Sequence, residues 1–438
     1  MTRTFTARRV VALAAAAVLG SLALTPDAAA AKKPVLPAQL AGKAGCVSLA
    51  GGGCAKGRAL DGAGDVLTSP DGRNVYVASS LSGVIAVFRR NPSTGALAQL
   101  GGAKGCVGTV PGCGPGRLLG DVFELAVAPD GRSLYALSSG GVAVFARDPA
   151  TGRLTQPGGS AGCVAVGGAE ECATARGLVE RATGLALTPD GRTLLVTAAA
   201  RNPGGPELGS VALVLGFTTD GAGGALVQRA GQAGCIAAPA EFGCGSPAGY
   251  SCCSTLSNPV VLADGRVVLN SFLGPSFDVL QAADLGFVYS SPFGFGLGIG
   301  TLAASPAGDV VGTVGQGGAI TVVSLAGDPA RVACLAATAF ASCGAWRFLP
   351  NASFRPSELA YTADGKRAVV ASDGLGLLTR SPSEALTPLA CLAPKKRDGC
   401  RGARASLAGA GQVALSPDGK FAYATSATAD AVSVVRLR

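Results

Sequence analysis

Histidine is absent from all 438 residues, and the only methionine is the initiator. The chain therefore lacks the commonest general base and the commonest transition-metal ligand. Ser and Thr are plentiful, but a conventional triad cannot be built without His. Aromatic residues make up only 5% and charged residues only 14%. So few aromatics supply few stacking platforms among basic side chains, which argues against nucleic acid as a partner. The sequence holds no nucleophile elbow, phosphate loop or metalloprotease helix. Past the first 31 residues no run is apolar enough to span a bilayer.

Residues 1–31 read as a targeting segment. Arg3, Arg8 and Arg9 form a basic start, Val10 to Leu24 an apolar stretch, and Ala29-Ala30-Ala31 a small-residue cleavage pattern before Lys32. The Arg8-Arg9 pair hints at twin-arginine export, but general secretion suits the cysteines better, since they would oxidise outside the cytoplasm. Lys32 rather than a Cys stands directly after the cleavage point, so no lipid anchor is expected. The mature chain, residues 32–438, is expected to be soluble, a single repeat-built domain, and secreted or held at the cell envelope. Residues 1–31 carry three Arg and one Asp, so their removal lowers the net charge from +9 to +7. That mild excess is compatible with anionic envelope polymers.

Against those absences stand 66 glycines and 14 cysteines. All the cysteines follow residue 31, and twelve fall into pairs: Cys46/Cys54, Cys106/Cys113, Cys163/Cys172, Cys235/Cys244, Cys334/Cys343 and Cys391/Cys400. Each pair encloses six to eight residues. Zinc is the rival reading, but structural sites use closer spacing and export favours oxidation, so local disulfides are expected. Cys252 and Cys253 sit in an insertion, Ser246 to Ser257. They bond each other or pair with Cys235 and Cys244, and sequence does not choose.

An internal repeat organises the mature chain. Asp65-Val-Leu-Thr-Ser-Pro-Asp-Gly72 runs into Asn74-Val-Tyr-Val-Ala78, and the turn recurs at Pro129-Asp130-Gly131, Pro189-Asp190-Gly191 and Pro417-Asp418-Gly419. Degenerate copies are Ala263-Asp264-Gly265, Pro306-Ala307-Gly308 and Ala363-Asp364-Gly365. Pro fixes φ, Asp bonds its own backbone and Gly accepts φ > 0, so the phrase is turn chemistry. Successive copies lie 59, 60, 74, 43, 57 and 54 residues apart, which makes seven. A third strand follows, as in Gly83-Val-Ile-Ala-Val-Phe88, and then a fourth, as in Ala96-Leu-Ala-Gln99. Four short strands per unit and no sustained helical period predict an all-β, seven-bladed propeller of four-stranded antiparallel blades. The seventh copy stops after three strands, at Val432 to Arg438. Pro37 to Cys46 matches Leu97 to Cys106 in its Gln-to-Cys spacing, so the N-terminal strand is expected to close the last blade.

The phrase Ser-Pro-Asp-Gly-Arg-Asn-Val-Tyr-Val-Ala-Ser, the Val-Ile-Ala-Val-Phe strand and Asn91-Pro-Ser-Thr-Gly-Ala-Leu97 together resemble the lactonase-type seven-bladed propellers and the related surface proteins with YVTN repeats. The resemblance implies the fold and speaks weakly to function. Lactonase-like enzymes are associated with His, Arg and Glu at the channel mouth. This chain has no His, and no catalytic position is carried over.

Two constellations stand out as ligand-binding candidates. An Arg lies four residues after the second Cys in five staples: Arg58, Arg117, Arg176, Arg347 and Arg404. These form either a partial guanidinium ring suited to carboxylate or phosphate, or a repeated structural lock in which each Arg bonds carbonyls of its own loop or an acid of the neighbouring blade. Repetition at every blade favours the lock. Six residues before each turn Asp, at the start of the innermost strand, stand Asp65, Glu124, Gly184, Asn258, Thr301, Glu358 and Gln412. Three carboxylates facing one axis either hold calcium, an oxygen-seeking ion, or line a wet channel mouth, and the second is expected. No other cofactor is indicated. The sequence therefore reads as a monomeric, non-enzymatic exported propeller that presents a loop face to an envelope or extracellular ligand. A lactonase-like hydrolase at the channel mouth is the alternative.

Overall fold

The computed structural model describes residues 36–178, 181–201, 210–220, 225–238, 240–250, 258–270, 277–291, 302–306, 310–314, 320–325, 330–336, 344–345, 358–382, 385–394 and 399–437. Seven separate β-sheets follow one another along the chain, each an antiparallel meander. Their innermost strands touch in cyclic order, from blade 1 round to blade 7 and back to blade 1. The molecule is a seven-bladed β-propeller.

Blade 1 illustrates the construction. Its inner strand, Ala63–Thr68, turns into Asn74–Ser79, which pairs with Val84–Arg90. In the turn, Ser69 Oγ donates to Asp71 Oδ1 at 2.6 Å, and the Arg73 amide donates to the same oxygen at 3.0 Å. Gly72 takes φ +65°, a region in which a side chain would be strained. The same Ser/Thr-to-Asp bond recurs at Thr188/Asp190, Thr362/Asp364 and Ser416/Asp418.

The outer position differs from a simple fourth strand. Two short segments, Leu97–Gln99 and Cys106–Gly108, pair in turn with Val84–Arg90, separated by a one-turn 3-10 helix at Gly102–Gly105. Blades 2, 3 and 7 repeat this break. The Gly-rich stretch before each first Cys is what splits the strand.

Second strands such as Asn74–Ser79, Ser133–Ser138 and Phe421–Ser426 are buried along their whole length. Both faces of each sheet pack against a neighbouring blade, so these strands need no polar alternation. One apolar cluster fills each seam. Phe421, Tyr423 and Val432 of blade 7 meet Val75, Val77 and Phe88 of blade 1, for example, and the other six seams are filled alike.

Closure is made at blade 7. Ala38 pairs with Arg436 and Gln39 with Val435, and Cys46–Ser48 then pairs with Ser433 to Ala431. Deleting residues 36–42 exposes the outer edge of Ala431–Arg436 and removes the Gln39 side chain. The expected result is a fall in melting temperature of about 10 °C or more. An unchanged transition in a calorimetric scan would show that closure does not depend on this strand.

A second set of inter-blade bonds gives the turn Asp another role. Arg147 ends the third strand of blade 2 with its side chain fully buried. Its Nε donates to Tyr76 Oη at 2.7 Å and its Nη1 to the Gly131 carbonyl at 2.8 Å, and its Nη2 pairs with Asp71 at 2.9 Å. Arg90 repeats this on Tyr423, Gly72 and Asp418 across the blade 7–1 seam. In blade 3 Thr219 stands at the seam instead and donates to the Gly191 carbonyl. Arg147→Ala takes the donor from the buried Tyr76 hydroxyl and the Gly131 carbonyl and the cation from half-exposed Asp71, which Ser69 and Arg73 still hold, so a loss of about 1–3 kcal/mol is expected in denaturant unfolding. Arg147→Met should recover little of it, because packing is not the missing term. Substantial rescue by Met would assign the effect to volume.

Candidate functional site

Each inner strand starts on the side of the disc that carries the staples and ends at the Pro-Asp-Gly turn on the other side. The staples and the channel carboxylates therefore share one face.

Disulfides join Cys46–Cys54, Cys106–Cys113, Cys163–Cys172, Cys235–Cys244 and Cys391–Cys400, with Cα separations of 4.7 to 5.0 Å. Cys334 is also disulfide-bonded. Cys343, Cys252 and Cys253 lie outside the described residues, and no described cysteine is free.

The outer-strand Gln and the Arg after each staple form one motif. In blade 1, Gln99 Oε1 accepts the Arg58 amide at 3.0 Å, and its Nε2 donates to the Arg58 carbonyl at 2.9 Å and the Gly105 carbonyl at 3.0 Å. Gln156 holds Arg117, Gln228 holds Arg176 and Gln39 holds Arg404 by equivalent bonds. The guanidinium then reaches the next staple loop. Arg58 donates to the Gly112 and Gly102 carbonyls, Arg117 to Glu170 and Gly159, Arg176 to Gly243 and Gly231, and Arg404 to Gly53 and Gly42. Each of these Arg side chains thus ties one staple to its neighbour. Arg347 lies outside the described residues.

At the channel mouth the acids also reach across blades. Asp65, 8% exposed, takes the Val66 amide at 2.7 Å on one oxygen and the Leu125 amide of blade 2 at 2.7 Å on the other. Glu358 of blade 6 accepts the Val413 amide of blade 7 at 2.6 Å. In both cases the carboxylate satisfies an N–H on the free edge of the next innermost strand. Glu124 of blade 2 faces the Leu185 amide of blade 3 without closing a well-formed hydrogen bond, and its buried Oε2 has no partner.

Its other oxygen, Oε1, accepts Asn258 Nδ2 of blade 4 at 2.8 Å. That bond bridges over blade 3, where Gly184 leaves room. A Cβ there would lie 2.6 Å from the Asn258 Cα and 2.9 Å from Pro259. Gln412 is half-buried beside Val413, and Thr301 lies outside the described residues.

Burial dominates the electrostatics. It pushes the Asp65 carboxyl up to about 7, against the pull of the Leu125 and Val66 amides. Glu124 rises well above the carboxylate range through burial and then through the charges of Asp65 and Glu358. Glu358 rises through burial and the charge of Asp65, opposed by the Val413 amide. The three acids lie within electrostatic reach of each other. Among the described residues no group of three His, Cys, Asp or Glu side chains is placed to hold a metal ion.

The Gln partner of the Arg lock and the Arg90 and Arg147 clamps are absent from a reading of motifs alone. Their signals are present in the sequence. Gln stands seven residues before the first Cys in four of the six pairs, at Cys46, Cys106, Cys163 and Cys235, and Arg90 and Arg147 each stand two residues after a Phe.

Residues 46–167 match the family described as "Lactonase, 7-bladed beta-propeller". No curated protein matches the chain. Among solved structures, hydrazine synthase of Kuenenia stuttgartiensis is 15% identical, with a TM-score of 0.55 over 86% of this chain and 96% of that one. A "putative 6-phosphogluconolactonase" of Bacteroides fragilis is 16% identical, with a TM-score of 0.47 over 74% of this chain and 82% of that one. A protein of the same description from Bacteroides uniformis gives the same figures. Among the described residues no helix is long and apolar enough to cross a membrane. Residues 46–167 carry the sequence character of the lactonase-type seven-bladed propellers, and the fold that begins there runs on through the remaining blades.

Proposed function

We propose that the protein is an exported, monomeric binding propeller whose staple face receives a ligand at the cell envelope or outside the cell. The observation that carries this reading is a run of five staple loops, each closed by a disulfide, in which four Arg–Gln locks tie one loop to the next. Loops fixed in this way lose little freedom when a partner docks, which is the economy a binding surface needs. A glycan and metabolite screen on the oxidised mature protein, with and without calcium, tests it. Binding that disappears on reduction of the disulfides is expected. Ligands retained in full by the reduced protein, or no ligand at all, would count against the platform.

A second reading has one observation in its favour. Asp65, a channel-mouth carboxyl that burial raises to about 7, lies within the residues that match the lactonase family. This reading expects hydrolysis of 6-phosphogluconolactone or a simple γ-lactone that Asp65→Asn abolishes. Equal rates in the two proteins would exclude Asp65 as the acid or base.

A further inference from the structure

The junction between blades 7 and 1 differs from its counterparts. The three residues before the second Cys are Val110-Pro111-Gly112, Ala169-Glu170-Glu171 and Glu241-Phe242-Gly243 in blades 1 to 3, but Gly51-Gly52-Gly53 at this seam. Val110 packs against Ala59, Val84 and Cys106, and Phe242 packs on the core between blades 2 and 3. At the seam no side chain fills that space. A cleft of about 780 Å³ opens there, walled by Lys43, Ser48, the three glycines and Arg404, with no acidic side chain in its lining.

Arg404 also stands apart. Arg58, Arg117 and Arg176 spend both Nη1 and Nη2 on carbonyls. Arg404 makes all its guanidinium contacts through Nη1, to Gly42 at 2.7 Å, to Gly53 at 2.8 Å and to Cys46 Sγ at 3.9 Å. Its Nη2 has no partner among the described residues. Lys43 is exposed and makes no hydrogen bond or ion pair among them. The Gly52 and Gly53 amides likewise have no intramolecular acceptor among the described residues.

We propose that this cleft binds a carboxylate-bearing ligand of sugar size. The free Nε–Nη2 edge of Arg404 presents two parallel donors, the spacing that a planar carboxylate accepts, and Lys43 adds a mobile positive charge. The volume exceeds what a bare anion needs and falls in the range of small-molecule sites, leaving the glycine amides to meet hydroxyl oxygens. The inference rests on the staple-face reading for the location of the ligand, and it adds the place and the chemical class.

Calorimetric titration of the oxidised protein with D-glucuronate tests it, with D-glucose and inorganic phosphate as controls. Saturable binding of glucuronate and none of glucose is expected. Lys43→Glu should weaken glucuronate about tenfold at an unchanged melting temperature, because Lys43 makes no structural contact. Lys104→Glu, on the corresponding turn of blade 1, should leave the affinity unchanged. Phosphate binding as tight as glucuronate would overturn the carboxylate assignment. An equal loss in Lys104→Glu would reduce the effect to surface charge, and no saturation by glucuronate would remove the site. A screen ligand that binds Lys43→Glu and the wild type alike would overturn this inference and leave the staple-face reading intact.

Discussion

Reduction of the oxidised protein is expected to remove roughly 10 kcal/mol of stability. The five described bridges each link cysteines seven to nine positions apart. In the chain-entropy account a loop of that length contributes about 2–3 kcal/mol by restricting the unfolded chain. The loops sit on different blades, so their contributions should add to a first approximation. Guanidinium unfolding with and without reductant measures the sum. A shift of only about 1–2 kcal/mol would mean that the Arg–Gln locks already hold the loops and the disulfides are redundant. Zinc release in place of a stability loss would refute the oxidised state altogether.

Acidification from pH 8 to pH 5 should raise the melting temperature. Asp65 has its folded-state value raised from 3.8 to about 7, and Glu124 and Glu358 shift in the same direction. The folded protein therefore binds more protons than the unfolded chain across this window. The stabilising contribution is complete below the unfolded value, near pH 4, and is lost as pH rises through 7. For Asp65 alone the span amounts to roughly 4 kcal/mol. Asp190 works the other way at the acid end, since the Thr188 hydroxyl and the Arg192 amide hold it below the usual range. Stability should consequently peak between about pH 4 and 6. Asp65→Asn keeps an acceptor for the Leu125 amide and should flatten the slope between pH 5 and 8. A wild-type melting temperature that is level or rising from pH 5 to 8 would show that these acids are ionised at no cost.

The blade rhythm was legible because its turns are local chemistry. Ser69, Asp71 and Gly72 settle their conformation within six residues, so the pattern survives in sequence wherever it is used. Chain-end matching worked for the same reason, since Gln39 and Gln99 keep one spacing to their cysteines. The partners of the charged residues were harder to read. Arg147 and Asp71 are 76 positions apart and meet only because blade 2 packs on blade 1. Asp65 and Leu125 are 60 apart, and the carboxylate answers an edge amide that no motif records. The Arg after each staple was visible as a repeat, but the groups that receive it are backbone carbonyls, which carry no side-chain signal. The break in the outer strand was missed because a single 3-10 turn leaves the apolar pattern on both sides intact.

The pairing of Ala38 with Arg436 has a consequence for the order in which the molecule assembles. Within a blade, successive strands are joined by short turns, so each meander can form as soon as its own residues are available. The last blade cannot. It joins the first described strand to the final one, and it waits until Ala431–Arg436 has been made. Local contacts then form quickly and a single long-range step finishes the ring, the kind of step that sets a slow rate in β-proteins. Until that step occurs, the unpaired edge of Ala431–Arg436 is exposed, which makes the interval before closure the period of greatest exposure to intermolecular strand pairing.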